Sequence, residues 1–484
     1  PSQKPKSARK PESLNPRHLT AAPASHGVRH KLVSLLHADY TRLNGEVSGG
    51  AAKDPQLKGL VLSGQEIIWM VLDREQELAT QKAAVYDNAM RQEVMKYKRM
   101  KLDAWVAERK QALEKKTAQK TPSIGAPVTI NTGLTTAQEV VVLQQRLVTP
   151  IQNLEQYGYV PVPPTDEQIE EAKQAVKWSQ GWEQCDRCTA RFQVFPGRDI
   201  ETGQLASGGQ CNHHPGRAYF PERPKGDTAW IAKKYRCCNQ DVGESPGCTV
   251  SEAHVWKTTD PKRLASLWNY AETPANDNPF VVKEAVAFDC EMGYTVHGME
   301  LIRVTATSWP DGAELLDVLV QPYGEILNLN SRYSGVWPED LARAVPWTRD
   351  WTPPPQQPGE RKVLQKVSSP ELARDLLHSF INPDTILIGH GLENDLNAMR
   401  MVHPKIVDTV LLYPHKRGLP VRTSLKLLME TLLNRRIQVD TGEGHDSAED
   451  ARSAGDLVRY KVEKEWTLMK SQGWKWEDGE LRAP

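Results

Sequence analysis

Three acidic stretches of this 484-residue chain carry the residue types that metal-assisted chemistry needs. In AVAFDCEMG, Asp289 and Glu291 stand two apart in an apolar run that reads as a strand, so both carboxylates leave on one face. Like charges at the end of a buried strand repel, and a divalent cation offsets that repulsion directly. About a hundred residues on, TILIGHGLENDLNAM takes a buried strand through a polar turn into a helix that carries Asp395. Further still, GHDSAEDARSA offers His445 and Asp450. Taken singly, each has a plain reading. An Asp-x-Glu pair is most often solvated surface acid, Asp450 fits a capping box opened by Ser447, and His445 fits a loop.

Taken together they read differently. Asp-x-Glu, a strand-to-helix Asp and His-x4-Asp arrive in the order of the DEDDh 3′→5′ exonuclease motifs, and the wording AFDCEMG, GHGLENDL, IVDTVLLYP and HDSAEDARSA resembles the Rex-type RNA exonucleases. That group includes the fungal Rex enzymes, the vertebrate elongin-A-binding exonuclease and the interferon-stimulated exonuclease. The resemblance covers about residues 283–462. It implies an α/β, ribonuclease H-like domain with a mixed five-stranded sheet flanked by helices. It also implies that Asp289, Glu291, Asp395 and Asp450 hold two Mg²⁺ or Mn²⁺ ions about 3.5–4 Å apart across the scissile phosphate, with His445 as general base. Hard carboxylate oxygens favour Mg²⁺ over zinc, and an imidazole of unperturbed pKa near 6.5 accepts a proton at neutral pH. Met292 follows the acids in the family pattern and packs either on the terminal base or on the core. The segment NLNSRYSGV (328–336) resembles the family's stretch after the third strand, where Arg332 or Tyr333 meets the terminal nucleotide. Asp408 in IVDT is either a supporting group behind the ligands or a polar strand end.

A second constellation has different chemistry. Six of the seven cysteines fall between Cys185 and Cys248, spaced as Cys185-x2-Cys188, Cys211-x2-His214, adjacent Cys237-Cys238 and Cys248-x5-His254. These thiols and imidazoles make one or two tetrahedral Zn²⁺ sites, and a closed shell of four ligands leaves no position for a substrate water, so the zinc is structural. Which ligands share an ion stays open, and His213 is an alternative to His214. The run CNHHPG, followed by RCC and GC, resembles the cysteine- and histidine-rich (CHORD-like) zinc fold of chaperone cofactors and of the region ahead of some exonuclease domains. Over about residues 185–254, this block grips RNA, grips a protein or caps the next domain, with capping the default.

Apolar spacing outlines the elements that must position these groups. Residues 1–28 are rich in Pro, Ser and Lys with almost no apolar period, and read as a disordered basic lead. Residues 30–118 read as a helical domain through Ile68, Leu72, Leu78, Val85, Ala89, Val94, Tyr97 and Trp105, with Glu75 breaking the seam. Its later helix carries Lys96, Lys98, Arg99, Lys101, Arg109 and Lys110, a solvated face or a phosphate guide. Residues 119–180 read as a linker and a helix, 181–272 as the zinc module, and 280–470 as the exonuclease domain, with WTPPPQQPGE (351–360) a surface insertion.

Composition narrows the class. The 61 basic and 61 acidic residues cancel, but residues 1–120 hold 22 basic and 13 acidic residues while 271–484 hold 24 and 32. A basic front and an acidic back suit a protein that holds an anionic polymer and gathers cations at a reaction centre. No apolar run reaches the roughly 18 residues of a membrane span, and the first residues lack the apolar core of a signal peptide. Clustered, sparse cysteine fits a reducing compartment, the nucleus or the cytoplasm. The expected function is metal-dependent 3′→5′ exonuclease action on single-stranded RNA 3′ ends, releasing nucleoside 5′-monophosphates in 3′-end processing or decay. Two alternatives stand beside it: an adaptor that binds a protein partner through the helical and zinc domains, and a DNA-directed exonuclease.

Overall fold

In the computed structural model of the protein, Glu75, the acid that breaks the N-terminal apolar seam, is fully buried. Its carboxylate accepts hydrogen bonds from Arg29 Nε and Nη2 at 2.7 and 2.9 Å and from the Tyr86 hydroxyl at 2.8 Å. A buried charge persists when it is paired and fully hydrogen-bonded. The break in the seam is therefore an ion pair that ties α1 (His26–Gly50) to α2 (Gly64–Gln81) and to the start of α3 (Tyr86–Arg99). Leu36, Leu43, Val71, Leu72 and Met90 fill the core between these helices, and Trp105 packs on Tyr40 and Tyr97 with ring centroids 5.2 and 5.9 Å away. The expected basic face is thinner than its sequence: Arg109 is buried, and Lys96 pairs with Glu108 at 3.2 Å.

The structure describes residues 12–17, 19, 22–50, 60–110, 125–221, 230–355, 361–438 and 444–484. Half of the expected basic lead and the end of the 351–360 insertion lie outside them; the described part of the lead is ordered, with Leu14, Leu19 and Ala24 packed against the helical core and α1 beginning at His26. The chain divides into two units, residues 1–124 and 125–484. Among the described residues no helix is long and apolar enough to cross a membrane.

The larger unit is built on a mixed sheet. Strands β1 (Ala285–Thr295), β2 (Gly298–Trp309) and β3 (Glu314–Val320) form an antiparallel meander. On one side β4 (Gln365–Val367) joins β3 in parallel; on the other, β5 (Ile386–Gly389) joins β1 and β6 (Lys405–Asp408) joins β5, both in parallel. The five expected strands are β6-β5-β1-β2-β3 in spatial order, and short strands, including β4, extend the sheet to nine. Alternate residues of β1 serve opposite faces. Ala285 and Ala287 pack against α4 (Thr136–Arg146) and α9 (Ser447–Ser471). Val286 and Phe288 share a core with α6 (Pro370–His378) and α7 (Leu392–Ala398). Small residues let α9 approach closely: at Gly455, whose carbonyl accepts from Trp309 Nε1 at 3.0 Å, an added Cβ would lie 3.2 Å from the indole.

The linker expected over 119–180 needs correction. From residue 125 it belongs to the larger unit: Val142 and Leu143 are buried against α9, Thr149–Pro150 pairs with β6, and Ile151, Tyr159 and Ile169 enter the main core. Its apolar residues are too few for a core of their own, so they are buried only by joining an existing sheet. The helix expected from Asp166 is α5 (Asp166–Ser179), capped by Thr165.

Two buried imidazoles give the unit an acid sensitivity. His403 donates from Nε2 to the Thr385 carbonyl at 2.7 Å and meets Thr273 Oγ1 through Nδ1 at 2.9 Å, and nearby His378 is also buried. Burial pushes both pKa values down to about 4. The unfolded chain takes up these protons near pH 6.5 while the folded chain refuses them, so stability falls as pH drops from about 6.5 toward 4. Each ring contributes about 2 kcal/mol of this loss by pH 5. Urea titrations at pH 7 and pH 5 should show a smaller fall for His403→Asn than for the wild type; an equal fall would refute the assignment.

Candidate active site

The pairing of β1 with β5 ends at Ala287 and Ile388, and the two acids lie just beyond. There the free edge of β1 is taken over by a side chain: the Cys290 amide donates to Asp395 Oδ1 at 2.9 Å. A carboxylate in place of a ladder carbonyl satisfies the amide and seats the start of α7 against β1. Asp289 and Glu291 stand on one face and keep partial solvent access; Asp395 and Asp450 are buried. Ser447 Oγ donates to Asp289 Oδ2 at 2.9 Å, which brings the first turn of α9 over the same point. The α9 N-cap is Asp446, not Ser447, so Asp450 is released from capping and turns inward. Gln438 Nε2 donates to Asp450 Oδ2 at 2.8 Å, while Asp450 Oδ1 is buried without a hydrogen-bond partner.

Asp408 stands behind the site. It is buried at the end of β6 and accepts from the Gly391, Leu392 and Val410 amides at 2.8, 3.1 and 2.8 Å and from the Tyr159 hydroxyl. These bonds hold the turn that launches α7, where Gly391 has φ +76°. Asp408 is thus the supporting group of the two readings its sequence left open.

His445 precedes α9, with Nδ1 3.7 Å from Asp450 Oδ2. Its backbone amide donates to the Tyr333 carbonyl at 3.2 Å. Gly335 allows this approach: its φ is +62°, and an added Cβ would lie 2.3 Å from the His445 carbonyl oxygen. Gly335→Ala should therefore push His445 aside and lower kcat on the order of a hundredfold, since ångström-scale misplacement costs about that much. A variant turning over at the wild-type rate would show that this contact does not position His445.

The electrostatics of the acids follow from their burial and mutual repulsion. Burial pushes the Asp289 carboxyl up to about 6, against the hydrogen bond from Ser447 and the charge of Arg303. Burial, with the charge of Asp289, pushes Asp450 up to about 8 and holds Glu291 and Asp395 well above the carboxylate range. Four converging carboxyls, one with an unpartnered buried oxygen, exceed what the neighbouring cations offset, and this donor set fits divalent cations of the Mg²⁺ class. Burial, helped by Lys426, lowers the His445 pKa below 6.5.

The other expected contacts divide. Met292 is half-buried and packs against the main core. Arg332 and Tyr333 lie exposed on the helical turn Ser331–Ser334, along a cleft of about 910 Å³ that runs toward the zinc module. Sequence reasoning missed Arg303. A bulge at Ile302 shifts the register so that Arg303 lies opposite Glu291, and the guanidinium is anchored on Asp317 at 2.9 and 3.1 Å. The available signal was an arginine inside the apolar strand LIRVTATSW.

The cysteine block forms two separate ligand sets, Cys185, Cys188, Cys211 and His254, and His214, Cys237, Cys238 and Cys248, each with donor atoms within 4.8 Å of one another. Both are Cys₃His sets, which fit structural zinc. The alternative His213 is buried outside either set, 3.9 Å from Cys211 Sγ. The order is crossed: Cys211-x2-His214 and Cys248-x5-His254 each divide between the sets. An antiparallel pair, Cys211–His213 with Thr249–Ser251, carries the crossing. In the first set, burial raises the Cys185 thiol, but amide hydrogen bonds from Cys188, Val255 and Arg187 bring it down to about 6, toward the ligating thiolate. The module docks on the β1–β2 end of the sheet, where Tyr294 donates to Asp186 at 2.8 Å and Trp256 covers Gly298.

Known proteins match this arrangement along its length. A family model for the RNA exonuclease 3 N-terminal domain matches residues 27–118. RNA exonuclease 3 of Emericella nidulans is 45% identical over 98% of this chain and 75% of its own. RNA exonuclease 3 of Eremothecium gossypii is 36% identical over 67% of this chain and 73% of its own. Among solved structures, the Neurospora crassa Pan2 catalytic unit is 24% identical over 41% of this chain and 29% of that chain, with a TM-score of 0.31. Because the 45% identity runs through both units and covers three quarters of the relative, this chain belongs to the RNA exonuclease 3 family.

Proposed function

We propose that this protein is a metal-dependent 3′→5′ exonuclease of single-stranded RNA that releases nucleoside 5′-monophosphates in 3′-end processing or decay. The observation that carries the reading is that Asp289, Glu291, Asp395 and Asp450 lie near enough to repel one another, with His445 Nδ1 3.7 Å from Asp450. The four carboxylates would hold two Mg²⁺ or Mn²⁺ ions, which when bound supply Lewis-acid stabilisation of charge at the scissile phosphate. His445, neutral at physiological pH because burial lowers its pKa, takes the proton of the attacking water on a ring nitrogen. Arg303 offsets part of the acids' repulsion, and Arg332 and Tyr333 flank the entry of the terminal nucleotide.

Thiolate ligands persist in reducing compartments, which supports a nuclear or cytoplasmic place of action. The test is product analysis: RNA with a free 3′ hydroxyl, incubated with Mg²⁺, should yield nucleoside 5′-monophosphates faster than a matched DNA strand. Oligonucleotide products would overturn the exonuclease reading, and faster DNA hydrolysis would overturn the RNA assignment.

A further inference from the structure

The zinc module carries more chemistry than a cap needs. The cleft of about 910 Å³ is lined by Arg332 and Tyr333 and by His213 and His214 of the zinc module, with Arg187 donating to Asn328 Oδ1 at 3.0 Å where the two meet. Tyr333 is the backbone neighbour of His445, through the hydrogen bond from His445 N–H to the Tyr333 carbonyl. Of the residues lining the cleft, His214 belongs to the second ligand set. The His214 ring stacks on Tyr235, 3.8 Å between centroids and 7° from parallel. Tyr235 lies in a short hairpin, Ala218–Tyr219 with Lys234–Tyr235. His214, which lines the cleft, thus joins it to this hairpin through the stacked ring of Tyr235.

The hairpin exposes what a folded cap buries. Phe220 is 63% exposed and Trp230 86% exposed. Cations lie over the aromatic rings: Lys233 over Phe220 at 5.1 Å and Arg236 over Tyr219 at 4.8 Å. Exposed aromatic faces combined with cations are the recognition chemistry of single-stranded nucleic acid, because every base has a face to stack and every phosphate a charge to pair. Lysine is depleted at protein–protein interfaces, so Lys233 over the exposed Phe220 ring favours a nucleic acid over a protein partner.

We propose that the second zinc lobe, in residues 211–221 and 230–251, is a single-stranded RNA platform that holds the substrate on the 5′ side of its terminal nucleotide. The bases stack on Phe220 and Trp230, Lys233 and Arg236 meet the phosphates, and the strand follows the cleft past Arg187 to the acids. The inference rests on the exonuclease reading for the strand's direction but not for its binding. The experiment measures binding on full-length protein carrying Asp289→Asn, with 5′-fluorescein oligouridylates of 3 to 20 nucleotides followed by anisotropy in Mg²⁺. Affinity should rise with length. Adding Phe220→Ala, Trp230→Ala and Lys233→Ala should weaken binding of the 20-mer about tenfold or more and abolish the length dependence, with zinc content and circular dichroism unchanged. Should the triple variant lose zinc, Lys233→Glu alone supplies the test, expected to weaken the 20-mer and flatten its salt dependence.

Retained length dependence in a variant that keeps its zinc would overturn the proposal and leave the face to a protein partner. If the wild type shortens RNA while the variant binds normally, the platform fails alone. If RNA binds through these residues but wild type never shortens it, the exonuclease reading fails alone.

Discussion

Asp450→Asn should lower kcat by on the order of a thousandfold or more, because removing one ligand charge from a two-metal site forfeits several kcal/mol of transition-state stabilisation. Asparagine keeps the shape and the Gln438 contact, so the loss reports charge rather than packing. His445→Ala, measured the same way, should cost roughly 10²–10⁴-fold, the usual range of a general base. Stability should move in the opposite sense. In the wild type, burial and the charge of Asp289 hold the folded Asp450 carboxyl up at about 8, above its ordinary range in the unfolded chain, so folding carries a penalty that grows as pH rises through this window and is largely in place at pH 7. Without divalent ions, Asp450→Asn should therefore melt higher than the wild type at pH 7. Added Mg²⁺ should raise the melting point of the wild type more than that of the variant, by ordinary linkage. A variant that is less stable without metal and equally shifted by Mg²⁺ would show that Asp450 is a structural acid.

The second large effect is expected in the zinc module. Its apolar cluster is small, centred on Phe192, Val194, Ala206 and Trp256, too little to order about 70 residues without metal. Structural zinc contributes about 10–16 kcal/mol to the folding of small metal-dependent modules. Because the ligand pairs are crossed, loss of the first site should undo the second as well. Cys211→Ser removes a buried ligand at the strand that also leads into His214, and should release both ions and open the module to protease. Cys237→Ser, at an exposed ligand of the second set, should release one. Zinc counted by metal analysis should thus fall from two per chain to near zero and to one, respectively. Two ions retained in Cys211→Ser would contradict the assignment of ligands.

The candidate site was legible in the sequence because its acids lie at the ends of regular elements, where strand alternation aligns Asp289 with Glu291 and a strand-to-helix turn presents Asp395. Spacing carries such information. The supporting groups were hidden because their partners are remote in sequence: Tyr159 meets Asp408 across 249 residues, and Arg303 reaches its place opposite Glu291 only through a one-residue bulge. The crossed zinc sets were hidden for a related reason. Nearby Cys-x2-Cys and Cys-x2-His look alike as chelating pairs, and only the pairing of Cys211–His213 with Thr249–Ser251 separates Cys211 from His214. At Glu75 the sequence showed a flaw in an apolar seam, and the missing information was a partner, Arg29, 46 residues away.

The most direct test of the central claim is a time course on 5′-labelled single-stranded RNA with Mg²⁺, comparing the wild type with Asp289→Asn. Wild type should give a ladder that shortens one nucleotide at a time from the 3′ end, and no ladder should form when either Mg²⁺ or Asp289 is missing. Shortening that persists in Asp289→Asn, or intact RNA with well-folded wild type in both Mg²⁺ and Mn²⁺, would contradict it.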